Sequence, residues 1–78
     1  MSATIIDMEE DYRFVDVLNA DQLEVGDLIG LGIAGVVRII SIDSTLNGFS
    51  LVVENEFSEK EDVEILDNEK FELFIENF

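Results

Sequence analysis

Hydrophobic and polar residues alternate in short runs along most of the chain, with hardly any helical periodicity. Alternation with a period of two is typical of β-strands, because successive side chains point to opposite faces of a sheet. β-branched and aromatic residues concentrate in these runs. The pattern therefore predicts a mainly all-β protein of five or six short antiparallel strands, at residues 12–18, from 28 onward, 36–43, 49–54, 63–66 and 71–75.

Turn residues separate the predicted strands at intervals of 8 to 14 positions. Gly26-Asp27 indicates a turn, because glycine accepts a positive φ without steric penalty. Asn47-Gly48 is typical of a β-hairpin, so residues 36–43 and 49–54 are predicted to pair as an antiparallel hairpin. Residues 55–62 are predicted to form an acidic loop.

Adjacent apolar residues indicate that the sheet is covered on both faces. Ile39-Ile40 and Val52-Val53 place hydrophobic groups on opposite sides of their strands. A flat single sheet would leave one of these sides in water. The pattern favours a small antiparallel barrel or closed sandwich, or a sheet with one face covered by a partner. We expect one small β-barrel domain at residues 12–78.

Residues 1–11 differ in character and are predicted to form a flexible acidic arm. The alternative is a short acidic helical turn that docks through Ile5, Ile6 and Met8. Four acids fall within five positions, namely Asp7, Glu9, Glu10 and Asp11.

The segment 22–29, with its sequence Leu-Glu-Val-Gly-Asp at positions 23–27, precedes the apolar run at 36–42. This arrangement resembles the Leu-x-x-Gly-Asp entry of many SH3-like small barrels and of self-splicing Hint domains, over about a quarter of the chain. The resemblance implies an SH3-like barrel. A Hint domain also needs a nucleophilic Cys or Ser at its start and a histidine, so autoprocessing is not implied.

The glycines at positions 30, 32 and 35 match the Gly-x-Gly-x-x-Gly string of dinucleotide-binding folds. That fingerprint needs a helix directly after the glycines within a βαβ unit. Residues 36–42 instead have a strand pattern. These glycines are therefore predicted to bend the chain at a corner of the sheet.

Charge limits the partners of this chain. Nineteen acidic residues against four basic ones give a formal net charge of −15. The radius of a domain of this size is comparable with the Debye length of about 8 Å at physiological salt. Much of its surface therefore lies in a negative potential. Direct binding to nucleic acid or to an anionic membrane is disfavoured, and a basic protein surface is the expected partner. No apolar segment approaches 18 residues and no leader pattern is present, so we expect a cytoplasmic protein.

Composition also limits the chemistry. With no histidine and no cysteine, nucleophilic catalysis of the triad type lacks its base, and we expect a non-enzymatic protein without a cofactor. The acids of the 55–62 loop lack the alternate spacing and central glycine of a calcium-binding loop, so no metal site is predicted.

The density of acids predicts an interaction module that binds a basic surface, in its narrower form a nucleic-acid mimic that inhibits a DNA- or RNA-binding protein. Solubility alone is the other explanation of the acids. Phe57, isolated in the acidic loop, is a candidate apolar anchor. The candidate partner-binding acids are Glu54, Glu56, Glu59, Glu61, Asp62 and Glu64, followed by Asp7, Glu9, Glu10 and Asp11.

An alternative function is structural, as a barrel that self-associates or docks into a larger complex through sheet edges and apolar patches. Phe74 is predicted to lie opposite the face of Phe71, Leu73 and Ile75, and it is a candidate for self-association together with Phe78. Arg38 lies mid-strand, and we expect it to pair with Asp43, Glu54 or another cross-strand acid.

Overall fold

The structure, a computed structural model, describes residues 12–32 and 35–76. Within these ranges the chain forms six β-strands, with a turn of 3₁₀ helix at Ala20–Gln22, and no α-helix. The mainly all-β prediction is confirmed. The strands are β1 (Tyr12–Asn19), β2 (Leu28–Gly30), β3 (Val36–Ser44), β4 (Gly48–Glu54), β5 (Lys60–Leu66) and β6 (Lys70–Glu76).

All six strands form one antiparallel sheet in the order β1-β6-β2-β3-β4-β5. Strands β3, β4 and β5 follow one another as a meander, whereas β6 returns to lie between β1 and β2. Because β6 uses both of its edges in this way, β1 is left at one end of the sheet and β5 at the other. The described strands β1 and β5 do not pair with each other, so the sheet is open, and the predicted closure into a barrel is wrong.

The turn at Gly26-Asp27 is confirmed. Gly26 has a φ of +98°, a conformation that only glycine adopts readily. The Asp27 carboxylate accepts a hydrogen bond of 2.9 Å from the Glu24 N–H. The Gly26 N–H donates to the Ile39 carbonyl at 2.8 Å, which fixes the turn against β3 before β2 begins.

The glycine stretch connects β2 to β3. Gly32 and Gly35 both have positive φ values, and the Leu31 N–H donates to the Gly35 carbonyl at 2.9 Å. Strand β3 follows at once, so the helix that a dinucleotide-binding loop requires does not occur there. Residues 33–34 lie outside the described residues.

The predicted β3–β4 hairpin is confirmed, but its glycine has another role. Gly48 is the first residue of β4 and does not have a positive φ. It is buried, and a Cβ added to it would lie 2.8 Å from the Leu66 Cα and closer still to the Ile65 carbonyl. Gly48 therefore allows β4 and β5 to approach each other, which is a packing requirement.

Hydrophobic residues on one face of the sheet, here called the inner face, form the core. A bulge between Ile39 and Ser41 shifts the alternation of β3. For this reason Ile42, three residues after Ile39, again packs against the core. The buried core residues are Ala20, Leu23, Ile29, Val37, Ile39, Leu51, Val53 and Ile65.

Candidate functional site

The outer face, opposite the core, carries one row of cross-strand neighbours that spans all six strands. In order from β1 to β5, the row consists of Phe14, Phe74, Leu28, Arg38, Glu54 and Lys60. Its first half is apolar and its second half is charged. The outer face therefore presents two chemically different surfaces.

The apolar half centres on two phenylalanines. The rings of Phe14 and Phe74 lie edge to face, with centroids 6.1 Å apart and planes at 73°. Such aromatic pairs contribute about 0.5–1.5 kcal/mol beyond the area that they bury. Phe74 also covers Gly30, where an added Cβ would lie 3.2 Å from its Cε2. Phe14 is 52% exposed, and its place beside Phe74 was not predicted, because the pairing of β1 with β6 joins distant parts of the chain.

Arg38 connects the two halves of the row. Its Nη2 donates to Glu76 Oε2 at 3.1 Å, and its Nη1 donates to the Gly26 carbonyl at 3.1 Å. An acidic partner was predicted for Arg38, but it is Glu76 at the end of β6, and not Asp43 or Glu54. Strand β2 lies between β3 and β6 but begins only at Leu28. The Arg38 guanidinium therefore extends past the Gly26 backbone to reach Glu76 on β6.

The charged half continues into the turn between β4 and β5. Asn55 organises this turn, since its Oδ1 accepts from the Phe57 N–H at 2.8 Å and from the Glu59 N–H at 3.0 Å. Its Nδ2 donates to the Glu59 carboxylate at 3.0 Å. Glu56 is exposed, and Phe57 is 74% exposed at the tip.

The predicted acidic loop is shorter than expected. Strand β5 begins at Lys60, so Glu61 and Asp62 belong to the edge strand and not to the loop. Strand alternation then separates them, because Glu61 lies opposite Val53 of the core while Asp62 lies opposite Val52.

Of the six candidate partner-binding acids that lie within the described residues, five are found at one end of the outer face. Asp62 and Glu64 lie on the outer face of β5, and Glu54 lies beside them on β4. Glu54 Oε2 is 3.8 Å from Lys60 Nζ, and Glu56 and Glu59 occupy the adjoining turn. We call Glu54, Glu56, Glu59, Asp62 and Glu64 the acidic end of the molecule. The candidates Asp7, Glu9, Glu10, Asp11 and Phe78 lie outside the described residues.

A small cavity adjoins the acidic end on the outer face. Its volume is about 160 Å³. Its lining residues could not be grouped from local sequence patterns, because they come from five strands and a turn. They are Tyr12, Leu28, Val36, Arg38, Glu54, Asn55, Glu56 and Glu76.

Two further observations concern metal binding and membrane crossing. Within residues 12–32 and 35–76, no three acidic side chains are close enough to hold a metal ion. In the same ranges no helix is long and apolar enough to cross a bilayer.

Comparison with known proteins does not assign this chain to a family. No protein-family model, curated protein or solved structure matches this chain. The function must therefore be inferred from the geometry of the outer face and from its charge.

Proposed function

We propose that this protein is a non-enzymatic interaction module whose acidic end binds a basic surface of another protein. The observation that carries the proposal is the position of Asp62 and Glu64 on the outer face, next to the exposed turn with Glu56 and Glu59. Lys60 is the one cation between residues 54 and 66. The acids therefore act together on a partner.

Electrostatics supports a basic partner in particular. A net charge of −15 on 78 residues attracts cationic surfaces and accelerates their association, more strongly at low salt. Phe57 supplies an exposed apolar group within the same turn, and aromatic side chains at interface centres contribute much of the binding energy. Together they suit a partner with an apolar contact ringed by lysine or arginine.

Nucleic-acid mimicry is the narrower form of this proposal. Alternate residues of one strand, such as Asp62 and Glu64, are about 7 Å apart along the strand, and a duplex likewise presents regularly spaced negative charges. A mimic competes with DNA for the same basic surface. The SH3-like resemblance is likewise a proposal, supported by the turn at Gly26-Asp27 and by the number of strands.

A dodecalysine peptide provides a direct test. We expect affinity to fall steeply as salt is raised, because binding releases counterions from both partners. A duplex oligonucleotide added as a competitor tests the mimicry. If the protein is a mimic, the duplex must displace it from the peptide. Binding that is unchanged between low and high salt contradicts the electrostatic proposal.

Two matched variants locate the surface. Glu59→Gln, Asp62→Asn and Glu64→Gln together remove three charges from the acidic end. Asp21→Asn, Glu24→Gln and Glu72→Gln remove three exposed charges elsewhere. We expect the first variant to lose several times more affinity for dodecalysine than the second, and equal losses would show that only total charge matters.

Self-association is a second candidate function, favoured by the apolar half of the outer face. Phe14 and Val17 are 52% and 46% exposed, and the Phe14 ring lies edge to face with that of Phe74. A second copy would cover these groups once salt screens the repulsion between two acidic chains. Sedimentation at high salt tests this, and a monomer that persists there at high protein concentration overturns it. Phe14→Ser should abolish any dimer that forms.

A further inference from the structure

The cavity on the outer face has the size of one long side chain. Its volume is about 160 Å³, and it opens beside the acidic end. Its lining includes Tyr12, at the start of β1, and Asn55 and Glu56, at the start of the β4–β5 turn. A small-molecule pocket usually measures 300 Å³ or more, roughly twice this volume. A side chain presented by another protein is therefore a better fit than a cofactor.

The charges of the lining favour a cation. Three carboxylates, those of Glu54, Glu56 and Glu76, face one guanidinium, that of Arg38. Arg38 is already held by Glu76 and by the Gly26 carbonyl. Neither of the two ion pairs found in the described part of the chain involves Glu56. An incoming cation therefore meets an excess of negative charge, whereas an anion would have to displace Glu76 from Arg38.

The remaining lining residues suit an organic cation. Leu28, Val36 and the aromatic residue Tyr12 also line the cavity, in a smaller apolar part of a mainly polar lining. Lysine and arginine side chains combine an aliphatic stem with a charged head, and the head gains further from an aromatic face. A metal ion is a poorer fit, because no three acidic groups among the described residues converge closely enough to coordinate one.

We propose that this cavity receives a lysine or arginine side chain of the basic partner. The inference rests on the proposed function and adds a specific contact to it. The stem of the incoming side chain lies against Tyr12, Leu28 and Val36. Its charged head is bound by Glu56 and Glu54, at the boundary between the apolar and the charged halves of the outer face.

Tyr12→Leu is the most informative variant, because it removes the ring while leaving every charge in place. We expect at least a threefold loss of affinity for dodecalysine at physiological salt. Glu56→Gln should give a similar or larger loss. Glu72→Gln is the matched control, since Glu72 is an exposed outer-face acid that neither lines the cavity nor belongs to the acidic end. We expect this control to lose less than either cavity variant.

Amide chemical shifts of the wild-type protein give an independent readout. Titration with methylguanidinium and with butylammonium should shift the amides of Tyr12, Val36 and Glu56 before those of Asp62 and Glu64. Tighter binding of methylguanidinium would identify arginine as the preferred side chain, and tighter binding of butylammonium would identify lysine. This measurement needs no variant to fold.

Two results overturn the inference and are distinguishable. If Tyr12→Leu and Glu56→Gln bind dodecalysine like the Glu72→Gln control, and binding stays salt-dependent, the cavity has no role although the proposed function survives. If the wild-type protein shows no salt-dependent binding at all, the proposed function fails and the cavity inference fails with it.

Discussion

The two edge strands of the sheet differ in how they are held and in what they expose. Strand β5 is anchored by Ile65, which is 5% exposed within the core. Strand β1 contributes no buried residue over Tyr12–Asn19, and its Phe14 and Val17 are about half exposed. One edge is therefore part of the folding core, while the other lies on its periphery and carries exposed apolar groups.

The two edges also resist unwanted strand pairing by different means. On β1, a bulge lies between Phe14 and Asp16, and the Asp16 carboxylate accepts from the Val17 N–H at 2.7 Å. The Gln22 side chain accepts from the Asn19 N–H at 2.9 Å in the same way. These side chains occupy donors that another strand would use.

Among the side-chain hydrogen bonds of the described residues, none is made to a backbone N–H of β5. Strand β5 carries Glu61, Asp62 and Glu64 instead. A second acidic strand brought against it would place like charges opposite each other. The β5 edge is therefore protected by charge, which repels a second acidic strand but not a basic surface. The apolar edge is protected by hydrogen bonds.

Truncating the anchored edge should have the largest effect. We expect Ile65→Ala to lower the free energy of unfolding by about 2–5 kcal/mol, because it leaves a cavity in the core. Val17→Ala on the other edge should change it by less than about 1 kcal/mol. Urea denaturation of both variants measures the difference, and equal losses would contradict the asymmetry between the edges.

Gly48→Ala should have the next largest effect. The added methyl group would collide with the backbone of Ile65 and Leu66, so β5 must move away from β4. Overpacking of this kind typically costs about 1–3 kcal/mol. Ser50→Ala, two residues along the same strand, is the control and should be much milder. If Gly48→Ala unfolded at the same urea concentration as the wild type, β4 and β5 would have to be less tightly packed than the structure shows.

Removing the cap on β1 should convert a protected edge into a pairing edge. Asp16→Ala frees the Val17 N–H, and we expect a dimer that increases with protein concentration in sedimentation experiments. Asp16→Asn removes the same charge but keeps an oxygen acceptor, so it should stay closer to the wild type. If both variants associate equally, then the charge of Asp16 protects β1 and the hydrogen bond does not.

The smallest effect concerns salt. Adding salt should raise Tm, because it screens repulsion among the acids. Relief of about 1 kcal/mol corresponds to roughly 4–8 °C for a domain of this size. The Glu61→Gln, Asp62→Asn, Glu64→Gln variant should respond less, because part of the repulsion on β5 is already gone. A Tm that falls with ionic strength would contradict this expectation.

Features that depend on nearby residues could be predicted from the sequence. The turn at Gly26-Asp27 and the hairpin around residues 44–49 follow from local backbone preferences, and the structure confirms both. Strand alternation correctly placed Phe74 opposite Phe71, which packs against the core. The acidic character of residues 54–64 is likewise a property of composition.

Features that join distant parts of the chain could not be predicted. The insertion of β6 between β1 and β2 decides that the sheet is open, that Phe14 meets Phe74, and that Arg38 binds Glu76. Bulges in β1 and β3 shift the alternation by one residue, so a strict period of two assigns faces wrongly beyond them.

The sequence by itself determined the β-rich character of this protein, its negative charge and the lack of histidine and cysteine, because these depend on composition and on short-range periodicity. Only the tertiary structure decided that Glu61 and Asp62 point to opposite faces, and that Tyr12 and Glu56 line one cavity. The physical reason is that strand order and register are set by packing between residues far apart in the chain, and local preference carries no information about them.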